Sequence, residues 1–216
     1  MTGIAGSDDD EERYRREALG AFAHDLRSPL TSIGMVFELG DRAAGDGAIT
    51  FDAELFRMLK TSIDTIESLA DGIQEVTRLE RGRVALSRGP AELGAAIRAA
   101  AELLAPAVTV SGDAGATPLA GPWDAARLAQ AIAEMATAVN RSGAGTGQVT
   151  LQVAPGAGTV SVTIESGTPG GRPREVASDL GFGFFRARAL MLAMGAAVGC
   201  ARSQGYFRVT LRLPLD

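Results

Sequence analysis

Residues 21–33 read AFAHDLRSPLTSI, and the only histidine of the chain stands among them. Around this stretch Leu19, Phe22, Leu26, Leu30, Ile33 and Phe37 recur at steps of three and four, the spacing of one face of a helix. At roughly 100° per residue the six fall within about 80° of one another, whereas His24, Ser28 and Thr31 fall on the opposite side. The pattern predicts a long helix reaching about Gly40, with the imidazole facing solvent. Pro29 lacks a backbone donor and is expected to bend that helix just past the histidine. An imidazole beside a carboxylate, with hydroxyls one turn on, can attack a phosphoryl group. Asp25 would hold or accept one ring proton and leave the lone pair of the other nitrogen available. A solvated surface histidine with chance neighbours is the plainer alternative.

Outward from this helix, residues 1–12 read as an acidic flexible tail, with Ser7 or one of Asp8, Asp9 and Asp10 as N-cap. Residues 41–50 are glycine-rich and read as a connector. A second helix is expected over about 52–81, where Leu55, Leu59, Ser62, Ile66, Leu69, Ile73 and Val76 repeat at the same spacing. Two such helices make a hairpin over residues 13–88. A hairpin alone leaves much of its apolar stripe wet, so a homodimer forming a four-helix bundle is expected.

Past Pro90 the character changes. Helical stretches over about 91–104, 123–141 and 182–194 alternate with strand-like runs at 108–110, 149–153, 160–164 and 206–213. The expected fold class is α+β, with residues 89–216 forming a two-layer α/β sandwich behind the hairpin.

Composition narrows the chemistry. The 216 residues include one Cys (Cys200), one His (His24) and one Lys (Lys60). An internal disulfide is impossible, a Cys/His zinc site is nearly so, and no lysine stands in a phosphate-binding loop. A net charge of −5 and a pI near 5.0 argue against a nucleic-acid partner. The longest nearly apolar stretch, 189–201, is too short to span a membrane, and the N-terminus lacks a signal-peptide pattern. A soluble cytoplasmic protein is expected. Trp123 and Asp124 read as anchor and cap, Cys200 as buried and inert, and Phe182, Phe184 and Phe185 as core. Arg13, Arg15 and Arg16 read as a solvated charged face.

The string HDLRSPL, residues 24–30, resembles the phosphoacceptor box of sensor histidine kinases at every position. The resemblance extends to RLERGRVALSRGPAELGAAI (78–97), like the family's segment leading to its ATPase domain. It extends also to GFGFFRARALMLAMGAAVGC (181–200) and YFRVTLRLPL (206–215), like that domain's last glycine box, helix and strands. It implies that His24 is phosphorylated, that Asp25 assists transfer, and that Arg27, Ser28 and Thr31 complete the catalytic surroundings. The Asp25 and Ser28 pair corresponds to the acid and water-orienting residue of relatives with phosphatase activity.

The nucleotide motifs depart from the family. Glu134 falls at the first polar position of the magnesium-binding helix and Ala138 where an Asn should hold Mg²⁺. Asn140 lies roughly 200° around that helix from Ala138. The adenine-reading box reads Glu165-Ser166-Gly167-Thr168-Pro169, and Gly181 follows Gly167 by only fourteen positions, so the family's lid is largely missing. Gly181 and Gly183 could approach phosphates. Glu134, Glu165, Gly167, Gly181 and Gly183 are thus at best vestigial cofactor-binding residues, no metal ligand is assigned, and ATP and Mg²⁺ are not expected as cofactors. The function implied is a histidine phosphotransferase of a two-component phosphorelay. It would pass a phosphoryl group between response-regulator receiver aspartates, with Mg²⁺ supplied by the receiver. A sensor kinase is a further possible partner. A soluble kinase with a divergent ATP site and a non-catalytic module binding a receiver or kinase are the alternatives.

Overall fold

The computed structural model describes residues 8–44, 51–104, 109–111, 119–142, 148–167, 180–203 and 206–216. It divides into two compact units, residues 1–74 and 75–216.

The first unit is a helical hairpin of α1 (Asp8–Ala44) and all but the last turns of α2 (Ala53–Glu80). Helix α1 takes in Asp8–Glu12, expected in the tail, and continues unbroken through Pro29 and past Gly40. Asp52 opens α2, its carboxylate accepting from the backbone N–H of Glu54 and Leu55 at 2.9 and 2.8 Å. The hairpin does not bury the face that periodicity singles out. In α1 the buried residues are Ala21, Pro29, Val36 and Gly40, centred roughly 80° around the helix from the centre of the expected stripe, of which Phe22, Leu26 and Ile33 are half-buried. Leu19, Leu30 and Phe37 remain 64%, 51% and 51% exposed. A helix of a four-helix bundle needs two apolar faces, and a single hairpin covers only one of them.

The second unit begins inside α2, earlier than the boundary at residue 88 drawn from sequence. The cause is local: Leu79 is buried, and Glu75 pairs with Arg127 within that same second unit. Gly82 ends α2 at φ +62°, placing the Arg83 N–H on the Arg78 carbonyl at 2.8 Å. Then follow β1 (Gly89–Glu92), α3 (Leu93–Leu103), β2 (Thr109–Ser111), β3 (Ala120–Trp123) and α4 (Ala125–Ser142). The chain continues through β4 (Gln148–Pro155), β5 (Thr159–Gly167), α5 (Gly181–Ala193), β6 (Ala197–Ser203) and β7 (Tyr206–Pro214).

Strands β1 and β3 form an antiparallel ribbon that the sequence pattern did not reveal. The main sheet runs β2-β4-β5-β7-β6, with β2 parallel to β4 and every other pair antiparallel. Strict alternation makes it two-faced. Val160, Val162 and Ile164 of β5 and Phe207, Val209, Leu211 and Leu213 of β7 are buried toward the helices, and the residues between them point out. The helical layer contributes Leu93, Leu128, Ile132, Met135, Phe185 and Leu190 to this core.

Trp123 is fully buried and donates its indole N–H to the Pro214 carbonyl at 2.8 Å. A Cβ at Gly121 would fall 2.4 Å from that ring, so only glycine fits there. Asp124 caps α4 through the Arg127 N–H and also accepts from the Ser87 N–H at 2.9 Å. Anchor and cap are thus as the sequence suggests. Cys200 is not: it lies exposed on β6, which among the described residues is an edge strand paired with β7. Among the described residues no helix is long and apolar enough to cross a membrane.

Candidate functional site

Helix α1 presents His24 on an exposed face, where the sequence spacing places it. The imidazole is 59% exposed, and its Nδ1 lies 3.4 Å from Oδ1 of Asp25, whose side chain is 20% exposed. A proton on Nδ1 directed at that carboxylate leaves Nε2 as the nitrogen with an available lone pair. Arg27, Ser28 and Thr31 are exposed along the same turns. Thr31 does not offer its proton outward, because its hydroxyl donates to the Arg27 carbonyl at 2.9 Å. Pro29 cannot donate to the carbonyl of Asp25 four residues back, and it is buried.

A concavity of about 320 Å³ lies in the helical layer between α3, α4 and α5. Leu103, Glu134, Thr137, Arg141, Gly183 and Arg186 are among its walls. Here the polar groups satisfy one another. The Glu134 carboxylate accepts from the Arg186 guanidinium through Nε at 3.2 Å and through Nη2, and from the Gln130 amide at 3.1 Å. Burial works against the charge on Arg186. The hydrogen bond and attraction of Glu134, together with the charge of Glu75, outweigh it and hold the guanidinium above its ordinary range. Glu134 and Arg186 are 15% and 22% exposed. Sequence reasoning finds Glu134 but not its partner, which is 52 positions away and carries no motif.

The other nucleotide positions are scattered. Ala138 is 1% exposed inside the packed face of α4. Thr137 turns toward the concavity, but its hydroxyl donates to the Ala133 carbonyl at 2.9 Å. Glu165 is not part of this wall: on β5 it faces away from the helices and pairs with Arg208, its cross-strand neighbour on β7. The side chain that β5 turns inward there is Ser166, which is buried and donates to the Gln148 carbonyl at 2.9 Å. Gly167 closes the strand opposite Tyr206.

Gly181 has φ +72°, and a Cβ on it would fall 2.5 Å from the Arg141 guanidinium. Gly183 faces the Glu134 carboxylate, 3.7 Å from where its Cβ would stand. The positive φ gives Gly181 a backbone reason of its own, whereas a Cβ at Gly183 would make only ordinary contact. The short lid, residues 168–179, lies outside the described residues. These groups do not fit a magnesium nucleotide held as the resemblance would have it. Position 138 supplies no oxygen, Glu134 is engaged by Arg186, and Glu165 stands on the far face of the sheet. Among the described residues no three His, Cys, Asp or Glu side chains gather as a metal site.

No protein-family model and no curated protein matches the chain. Solved structures do. A histidine kinase of Acinetobacter baumannii, AdeS, superposes with a TM-score of 0.71 at 17% identity, over 89% of this chain and 98% of that one. The chain has a sensor histidine kinase fold. Full-length ShkA, solved in complex with AMPPNP, matches with a TM-score of 0.59 at 20% identity, over 95% of this chain. The match takes in 46% of ShkA, so this chain spans about half the length of that relative. On the histidine kinase fold, His24 belongs to the helical hairpin and the Glu134–Arg186 pair to the helical layer of the sandwich.

Proposed function

We propose that this protein is a histidine phosphotransferase of a two-component phosphorelay, working in the cytoplasm with little or no use of ATP. The observation that carries the reading is the open imidazole of His24, 59% exposed with Asp25 against its Nδ1, within the HDLRSPL string. The ion pair in the helical-layer cleft supports the reluctance toward ATP, because Glu134, at the first polar position of the helix that would hold Mg²⁺, is already committed to Arg186.

In the forward step Nε2 of His24 attacks the phosphorus of a receiver's phospho-aspartate. The P–N bond forms as the P–O bond breaks, and the aspartate carboxylate leaves with the bonding pair. Asp25 accepts the Nδ1 hydrogen bond and offsets the positive charge that builds on the ring. Arg27, exposed three residues on, offers a guanidinium to the phosphoryl oxygens. Transfer to a second receiver reverses the step. The receiver's own Mg²⁺ supplies charge neutralisation when bound.

A homodimer completes the bundle in this reading. Leu19, Leu30 and Phe37 on α1 and Phe56 and Ile63 on α2 are exposed in the single chain, and a second hairpin would cover them. Light scattering at micromolar concentration is expected to give twice 22.3 kDa, and the single-chain mass would refute the bundle.

The function is tested by incubating the purified protein with γ-labelled ATP and Mg²⁺ and, separately, with a panel of phosphorylated receiver domains. Label on His24 from a receiver but not from ATP, lost in His24→Ala, is the expected result. Label from ATP would make the protein a kinase, and label from neither source would make it a binding module.

A further inference from the structure

We infer that Gly20 is a positioning residue whose missing side chain lets a receiver domain close on His24. This rests on the phosphotransfer reading above. Gly20 lies one turn before His24 on α1, roughly 40° around the helix and roughly 6 Å along it. Side chains on a helix lean toward its N-terminus, so the imidazole of His24 overhangs the turn that contains Gly20. That turn is bare. Gly20 is exposed, and among the described residues a Cβ built on it would meet no packing atom within 4 Å.

Glycine inside a helix costs roughly 0.5–1 kcal/mol against alanine. Neither of the usual local reasons applies here: Gly20 has no positive φ, and no neighbour presses on it. The apolar stripe of Leu19, Leu30 and Phe37 is centred roughly 100° from Gly20, whereas His24 is roughly 40° away. The bare position therefore lies on the His24 side of α1 rather than on its apolar stripe. An acidic receiver pocket must bring its aspartate to within bonding distance of Nε2, and a side chain at position 20 would stand against the rim of that pocket.

Gly34 provides a matched control. It is also exposed inside α1 and also open to 4 Å, but it lies ten positions past the histidine. The experiment compares full-length wild type, Gly20→Gln and Gly34→Gln. His24 labelling is timed from two donors: the phosphorylated receiver domain that labels wild type fastest, and phosphoramidate, a small donor that needs no protein contact.

The expected result is a loss of about tenfold or more in receiver-driven labelling for Gly20→Gln alone. Phosphoramidate labelling and the dimer mass should be unchanged in both variants, with a raised melting temperature in both. Unaltered receiver-driven labelling in Gly20→Gln would overturn the inference. So would an equal loss with phosphoramidate, an equal loss in Gly34→Gln, or dissociation of the Gly20→Gln dimer. If wild type takes label from phosphoramidate but from no receiver, the phosphotransfer reading fails first and this inference with it.

Discussion

His24 and Glu134 are both titratable side chains at positions a histidine kinase would use, yet they stand in opposite states. The imidazole is 59% exposed, with Asp25 as its near carboxylate at a loose 3.4 Å. The carboxylate of Glu134 is 15% exposed and takes hydrogen bonds from Arg186 and Gln130. Reactivity needs a group whose lone pair is not already committed, and stability needs the reverse. The hairpin holds its imidazole open to solvent, whereas the sandwich holds its carboxylate in an ion pair.

The widest separation of the two regions is expected on removing the nucleophile. His24→Gln should lower labelling from any phosphodonor by about a thousandfold or more, with no shift in the melting curve, because the side chain is exposed and bears no packing. Appreciable residual labelling would place the acceptor elsewhere. Next comes Trp123→Ala, which empties a fully buried site and strands the Pro214 carbonyl. It should cost about 3–5 kcal/mol in urea unfolding followed by circular dichroism, while phosphoramidate still labels His24.

Glu134→Leu should cost about 2–3 kcal/mol, since it leaves the Arg186 guanidinium in a poorly solvated cleft without its carboxylate. The double variant with Arg186→Met should recover most of that loss, and receiver-driven labelling should be unmoved by either. A drop in labelling would mean that the cleft takes part in the chemistry and would erase the contrast. The smallest effect is expected from Glu165→Gln. Its partner Arg208 is 52% exposed, so the melting free energy should change by less than about 1 kcal/mol.

Much of this was legible in advance where the signal was local. The 3.6-residue period gave both hairpin helices, and the run around Val160 and Ile164 gave the central hairpin of the sheet. The wet face of His24 followed from the same arithmetic. What failed to show was non-local. Helical periodicity ranks faces by apolarity, and so it chose the stripe of Leu19 and Phe37 over the smaller Ala21 and Val36 that the hairpin buries.

Matching Glu165 to an acidic motif ignored strand parity. With Val160, Val162 and Ile164 turned inward, the odd-numbered residue must point out. Ribbon β1–β3, the edge placement of Cys200 and the reach of Arg186 to Glu134 depend on pairings between distant segments, about which spacing is silent.

Strand β7 occupies an interior place in the sheet, between β5 and β6, and its Pro214 receives the Trp123 anchor. Synthesis therefore imposes an order. The hairpin of residues 1–74 leaves the ribosome first, and the sheet cannot close until residues 206–214 follow. At about 5–20 residues per second that interval is on the order of ten seconds. For that long the nascent hairpin is exposed while the sheet still lacks an interior strand, which in the proposed dimer gives the bundle the opportunity to assemble before the sandwich closes.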